Sequence, residues 1–226
     1  MLEGIDVDPP PLFGTQDLPD VLYEDDDLLA VDKPAGMLSV PGRGNAHRDC
    51  AQARLQTRAK GLEEGWPRLI HRLDLPTSGV LLAAKHKAAY VGVQQQFSRR
   101  SIEKRYVAVL EGRVELDRGR IELPLRVDID DRPRQIHDPE HGKVAVTEWE
   151  VLSRSDTQTR VAFFPKTGRT HQLRVHAAHQ LGLGCPIAGD PLYGFGGPRL
   201  HLHAESMTLT HPISGEVLRL DAPCLF

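Results

Sequence analysis

Short apolar runs of strand length, separated by polar turns and broken by only a few stretches of helical spacing, constrain this chain more than any other feature. Leu28-Leu29-Ala30-Val31, closed by Lys33-Pro34-Ala35-Gly36, reads as a buried strand ending in a turn. Met37 to Gly44 reads as a second strand entering a mobile loop. Val80 to Ala84 and Ile102 to Leu110 continue the pattern. Ile121 to Val127, Ala145 to Leu152 and Arg160 to Phe164 follow with polar turns between them, and Leu200 to Leu220 returns to short alternating strands. Helical spacing is confined to Arg48–Lys60, Lys87–Arg100 and Thr170–Leu181, the last with Thr170 as its expected N-cap. Strands in runs, without regular βαβ alternation, predict an α+β fold with a mixed, mainly antiparallel central sheet flanked by helices and loops.

Residues 1–19 are rich in proline and lack apolar periodicity, which reads as a flexible N-terminal arm, so the folded unit is expected to span 20–226. No apolar run reaches the roughly 18 to 20 residues that a membrane-spanning helix needs. The acidic start lacks the features of a secretory signal. Cys50, Cys185 and Cys224 are odd in number and form no Cys-x-x-Cys pair, so neither a disulfide framework nor a thiolate zinc site is expected, and the cytoplasm is the expected compartment. A net charge of −3 excludes a uniformly basic coat for nucleic acid. Any RNA-binding surface has to be local.

Reactive groups concentrate in three segments. In the first, Asp74 follows His71-Arg72-Leu73 on a loop beside a strand, with Thr77, Ser78 and Gly79 as nearby donors. Local sequence leaves two readings open, a turn-capping carboxylate and a catalytic one. In the second, Arg99 to Tyr106 sets four cations against one carboxylate, either a phosphate-binding ridge or a solvated charged face. Tyr106 alternates with Lys104 on one strand face, suited to stacking on a base or to packing in the core. In the third, Lys166-Thr167-Gly168-Arg169-Thr170-His171 leads into a helix carrying Leu173 and Arg174, a phosphate-site pattern or a charged surface.

His171, His176, His179, His201 and His203 crowd the C-terminal half, yet no His-Glu-x-x-His or completing carboxylate follows metal-site spacing. No metal is expected, and a metal-dependent hydrolase using these histidines is the weaker alternative. Phosphate-loop, dinucleotide and serine-elbow motifs are absent.

Together, these segments resemble the RluA family of pseudouridine synthases. His71 to Lys85 resembles the family signature around its catalytic Asp almost position for position, and the similarity continues through Lys104-Arg105-Tyr106-Val107-Ala108, Lys143 to Trp149, Lys166 to His176, Ile187 to Gly194 and Arg199 to Pro212. The resemblance implies a pseudouridine synthase fold without an N-terminal S4-type domain. It also implies isomerisation of uridine to pseudouridine in structured RNA, without a cofactor.

By the same resemblance Asp74 supplies the essential carboxylate, Arg174 pairs with it, and Tyr106 packs against the target base and helps remove its C5 proton. Arg72 fills the gap left by the flipped base, and Leu173 walls the pocket. His71, Lys104, Arg105, Lys166, Arg169 and His171 are expected to bind substrate. The short chain and the Arg132-Pro133-Arg134-Gln135 segment look most like family members acting on both an rRNA hairpin and the tRNA anticodon loop. Cys185, where the family commonly has His, departs from the pattern. A non-catalytic RNA-binding module of the same fold is the other alternative, and a monomer is the default.

Overall fold

A computed structural model describes residues 18–42, 49–58 and 61–226. Most of the expected N-terminal arm, residues 1–17, and the loop expected at Arg43 and Gly44 lie outside the described residues.

Ten strands form one sheet. They are β1 (Asp20–Glu24), β2 (Leu28–Lys33), β3 (Arg68–Leu69), β4 (Ser78–Ala84), β5 (Glu103–Glu111), β6 (Arg118–Glu122), β9 (Val146–Arg154), β10 (Gln158–Pro165), β11 (Leu202–Thr210) and β12 (Val217–Asp221). Their order is β1-β2-β4-β11-β5-β10-β9-β6, with β12 beside β11 and β3 beside β4. A separate antiparallel pair joins β7 (Leu125–Val127) to β8 (Gln135–His137). Three helices, α1 (Ala51–Arg58), α2 (Lys87–Arg99) and α3 (Gln172–Ala178), complete the described elements. Every pairing is antiparallel except β4 with β11, so the sheet is mixed and mainly antiparallel, as expected.

Strand β4 explains its own sequence. All seven of its residues are buried, because sheet neighbours lie at both edges and apolar clusters cover both faces. A strand covered on both sides reads as a continuous apolar run rather than an alternating one. Its Gly79 has φ +111°, and a Cβ there would stand 2.2 Å from the Ala204 carbonyl oxygen. Glycine thus lets β4 and β11 approach at the parallel junction in mid-sheet.

Four expectations need correction. Met37 to Val40 form no strand; they run as a bend beside the Asp74 loop. The single strand expected over Ile121–Val127 is split at Leu123-Pro124, because Pro124 has no N–H for a ladder. Strands β1, β3 and β8 have no counterpart among the expected runs. Helix α3 starts at Gln172 rather than after a Thr170 cap and ends at Ala178 rather than Leu181, and its N-cap is His171 in the left-handed conformation, φ 52°. Gln172 fixes that start through its Oε1, which accepts from the Arg169 amide at 3.0 Å and the Thr167 hydroxyl at 2.7 Å.

Candidate active site

Asp74 lies on the loop between β3 and β4, and that loop is tied to the segment after β2. Ser39 Oγ donates to the Leu73 carbonyl at 2.7 Å and accepts from the Leu73 amide at 3.0 Å. The Gly36 amide donates to the Leu75 carbonyl at 2.9 Å. The ammonium of Lys33, fully buried, donates to the carbonyls of Pro34, Met37 and Leu75 at 2.9, 2.8 and 3.3 Å. Burial draws the Lys33 pKa down to about 7, opposed by the charges of Asp74 and Asp32. Three carbonyl acceptors suit the protonated form, which alone offers three N–H donors.

Helix α3 brings Arg174 to this loop from the far half of the sequence. Its Nη1 stands 4.0 Å from Asp74 Oδ2, the outer limit of an ion pair. The tighter partner is Asp190, whose oxygens accept from Nε at 2.7 Å and Nη2 at 2.6 Å. Asp190 is fully buried, and its Oδ1 also accepts from the amides of Leu192 and Tyr193. The sequence suggested Arg174 as the partner of Asp74 alone; the structure makes it a bridge between two carboxylates.

Tyr193 extends the network. The Gln135 amide donates to Tyr193 Oη at 2.7 Å, and Oη also lies 2.9 Å from His171 Nδ1. With one lone pair of Oη engaged by that amide, the hydroxyl proton is free to donate to Nδ1. The imidazole proton then sits on Nε2, the nitrogen 3.9 Å from Asp74 Oδ2. Burial lowers the His171 pKa against the opposing charge of Asp74, in keeping with a neutral ring.

Tyr106 arrives on β5, between Phe163 of β10 and Ala204 of β11. Burial, then the charge of Asp74, raise the pKa of its phenol well above the ordinary value. Two cavities meet at Asp74. One, of about 490 Å³, opens toward Leu38 to Gly42, Pro133 and Leu192. The other, of about 100 Å³, is lined by Tyr106, Leu173, Lys104 and Arg169. Arg72, Leu73, Asp74, His171 and Arg174 line both.

The remaining expected residues divide by their surroundings. Arg72 is exposed at the cavity edge. His71 points its Nε2 into the fold, accepting from the Leu82 amide at 3.1 Å, and burial, aided by Lys104, lowers its pKa to about 3. Arg105, on the strand face opposite Lys104 and Tyr106, is ion-paired with Glu205. Lys166 pairs with Glu148 at 2.9 Å, and Arg169 Nε donates to the Val144 carbonyl at 3.1 Å.

Of the five C-terminal histidines, only His171 reaches Asp74. His176 is held by Thr147, His179 packs on His137, His201 on Phe226, and His203 bonds Ser78 and the Ala222 carbonyl. Asp25, Asp27 and His211 form a cluster with metal-ligand spacing among the described residues, and it shares no residue with either cavity at Asp74. His211 Nδ1 accepts from the Ser214 amide at 3.1 Å, which leaves Nε2 to face Asp25 at 3.0 Å.

Sequence reasoning missed Lys33, Asp190 and Tyr193. Ile187 to Gly194 carried the signal for the last two, as a stretch of resemblance to which no role was attached.

The chain matches the family model described as RNA pseudouridylate synthase over residues 27–179. It is 43% identical over 209 residues to the dual-specificity RNA pseudouridine synthase RluA of Haemophilus influenzae, covering 90% of this chain and 92% of that protein. It is also 43% identical to the Escherichia coli protein of the same name over 212 residues, 91% of this chain and 93% of that one. Among solved structures, human RNA pseudouridylate synthase domain containing 1 superposes with a TM-score of 0.75 at 29% identity, covering 93% of this chain and 85% of that one.

Proposed function

The chain belongs to the RNA pseudouridylate synthase family, whose members isomerise uridines in RNA, and from that premise we propose that its substrates are loop uridines of 23S rRNA and of the tRNA anticodon stem-loop, with Asp74, Tyr106 and Arg174 as the catalytic set. The RluA proteins it resembles are named as dual-specificity enzymes. The observation that carries the reading is the position of Asp74 where two cavities join, beside Tyr106 and the buried Arg174–Asp190 pair.

The reaction balances without a cofactor. The N1–C1′ bond breaks, a C5–C1′ bond forms, C5 loses a proton and N1 gains one. A uridine in a stack cannot reach a recessed carboxylate, so it has to flip out, at a cost of a few kcal/mol. Arg72 offsets part of that cost by filling the gap, its exposed guanidinium lying at the cavity mouth.

Asp74 acts as a nucleophile toward the sugar or the base, or as a base at the sugar. Arg174 holds it from behind, and the bond to Asp190 keeps the guanidinium from collapsing onto the reacting oxygen. Tyr106, a neutral phenol in this setting, packs on the base, and its hydroxyl takes the C5 proton while its own proton goes on to N1, the atom that gains one. His171 and Leu173 shape the wall. Pseudouridine maps of 23S rRNA and tRNA from cells with and without this protein test the substrate assignment: sites in both RNAs disappear together if it is right, and no site changes if it is wrong.

A further inference from the structure

Next to the Asp74 site runs a groove of about 800 Å³, a volume larger than either cavity at Asp74. One wall is the end of α2 and the chain from Arg100 to Lys104; the other is Glu148 of β9 and the chain from Phe164, near the end of β10, to Arg169. Lys104, Pro165, Thr167 and Arg169 line both this groove and the small cavity that holds Asp74 and Tyr106, so the two spaces adjoin.

Its charge opposes that of the whole protein. Arg100, Lys104, Lys166 and Arg169 stand against Glu103 and Glu148, an excess of two cations in a chain of net charge −3. Glu148 is already engaged by Lys166. Arg100 is exposed, and the left-handed conformation it adopts to end α2, φ 58°, turns the chain into the groove wall. It has no carboxylate partner among the described residues. Burial lowers the Lys104 pKa with no carboxylate to offset it. A half-buried ammonium without a counter-ion gains from an incoming anion.

We propose that this groove binds the phosphodiester backbone of the RNA segment adjoining the flipped uridine on one side, with Arg100 as a phosphate-contacting residue. The assignment rests on the RNA-isomerase reading of the Asp74 site and adds to it the path of the flanking strand. An RNA strand is a row of anions that is best accommodated along an open, positively charged channel, and the groove supplies one beside the cavity of the reacting base.

The test uses Arg100→Gln, Arg100→Lys and, as a control for lost surface charge elsewhere, Arg219→Gln. The probe is an unmodified, fluorescein-labelled RNA hairpin whose loop uridine the wild-type protein converts. Affinity measured over a salt series should fall roughly three- to tenfold for Arg100→Gln at low salt, and the slope of log K against log salt should shrink by about one. Arg100→Lys should keep the wild-type slope, and Arg219→Gln should bind and turn over as wild type. With RNAs shortened on the 5′ or the 3′ side of the uridine, the Arg100→Gln defect should vanish for one truncation and persist for the other. An unchanged slope in Arg100→Gln, or an equal loss in Arg219→Gln, overturns the groove assignment while wild-type turnover still stands as the separate readout of the enzyme itself.

Discussion

Arg174 and Asp190 form a forked ion pair, at 2.7 and 2.6 Å, between two side chains 2% and 0% exposed, while the remaining guanidinium nitrogen faces Asp74 at 4.0 Å. Desolvating two charges is costly unless geometry and further hydrogen bonds offset it, and here two backbone amides complete the Asp190 carboxylate. The pair therefore serves to aim Arg174 more than to add stability.

Asp190→Asn tests that role. Without the second charge, Arg174 keeps Asp74 as its only acidic neighbour and shifts toward it. Turnover should fall by roughly one to two orders of magnitude, and unfolding should become easier by about 3 kcal/mol because a buried charge has lost its partner. Chemical denaturation beside single-turnover kinetics reads both. Full activity in a destabilised variant would assign Asp190 to structure alone.

Tyr106→Phe removes one oxygen and keeps the ring. The affinity for RNA should stay within about twofold of wild type while turnover falls about a hundredfold or more, because only the proton-transfer group is gone. Filter binding and product formation under single-turnover conditions separate these effects.

Arg72→Ala should weaken base flipping rather than chemistry. A loss of about 1 to 3 kcal/mol, comparable to the flipping cost it offsets, is expected on a stem-loop substrate. Stopped-flow fluorescence of 2-aminopurine beside the target uridine should show a slower or smaller flipping phase. An unchanged phase would remove Arg72 from that step.

Stability should fall in mild acid through His176, which is fully buried against Thr147. Burial lowers its pKa from 6.5 to about 4. Between those values the unfolded chain binds the extra proton, so the stabilising contribution is complete above pH 6.5 and is lost as pH falls toward 4. At pH 5 the loss is about 2 kcal/mol. Melting temperatures of wild type and His176→Gln between pH 7 and 5 should converge, with the flatter profile in the variant.

Strands with strong local signals were readable before the fold was known: the apolar runs at β2, β4 and β10 could hardly be anything else. The split at Pro124 and the β7–β8 hairpin were not, because short half-exposed strands carry little periodicity and depend on a partner. Asp74, Tyr106 and Arg174 were singled out through family resemblance, not spacing, and the fold brings them to one cavity. Asp190 stayed hidden because its partner is sixteen positions away and approaches through a loop, a relation that no local pattern encodes. Lys33 looked like the polar end of a strand; its place beneath the Asp74 loop depends on the Leu75 carbonyl, 42 positions away, which no local pattern encodes.

If Asp74 carries the isomerisation, its loss has to stop the chemistry at C5. Release of tritium from RNA labelled at C5 of uridine measures the event directly, since the label leaves only when C5 takes the sugar. Wild type should release it to the extent of one label per modified site, and Asp74→Ala, folded and binding RNA, should be slower by at least about a thousandfold. Equal release by the two proteins would remove Asp74 from the reaction.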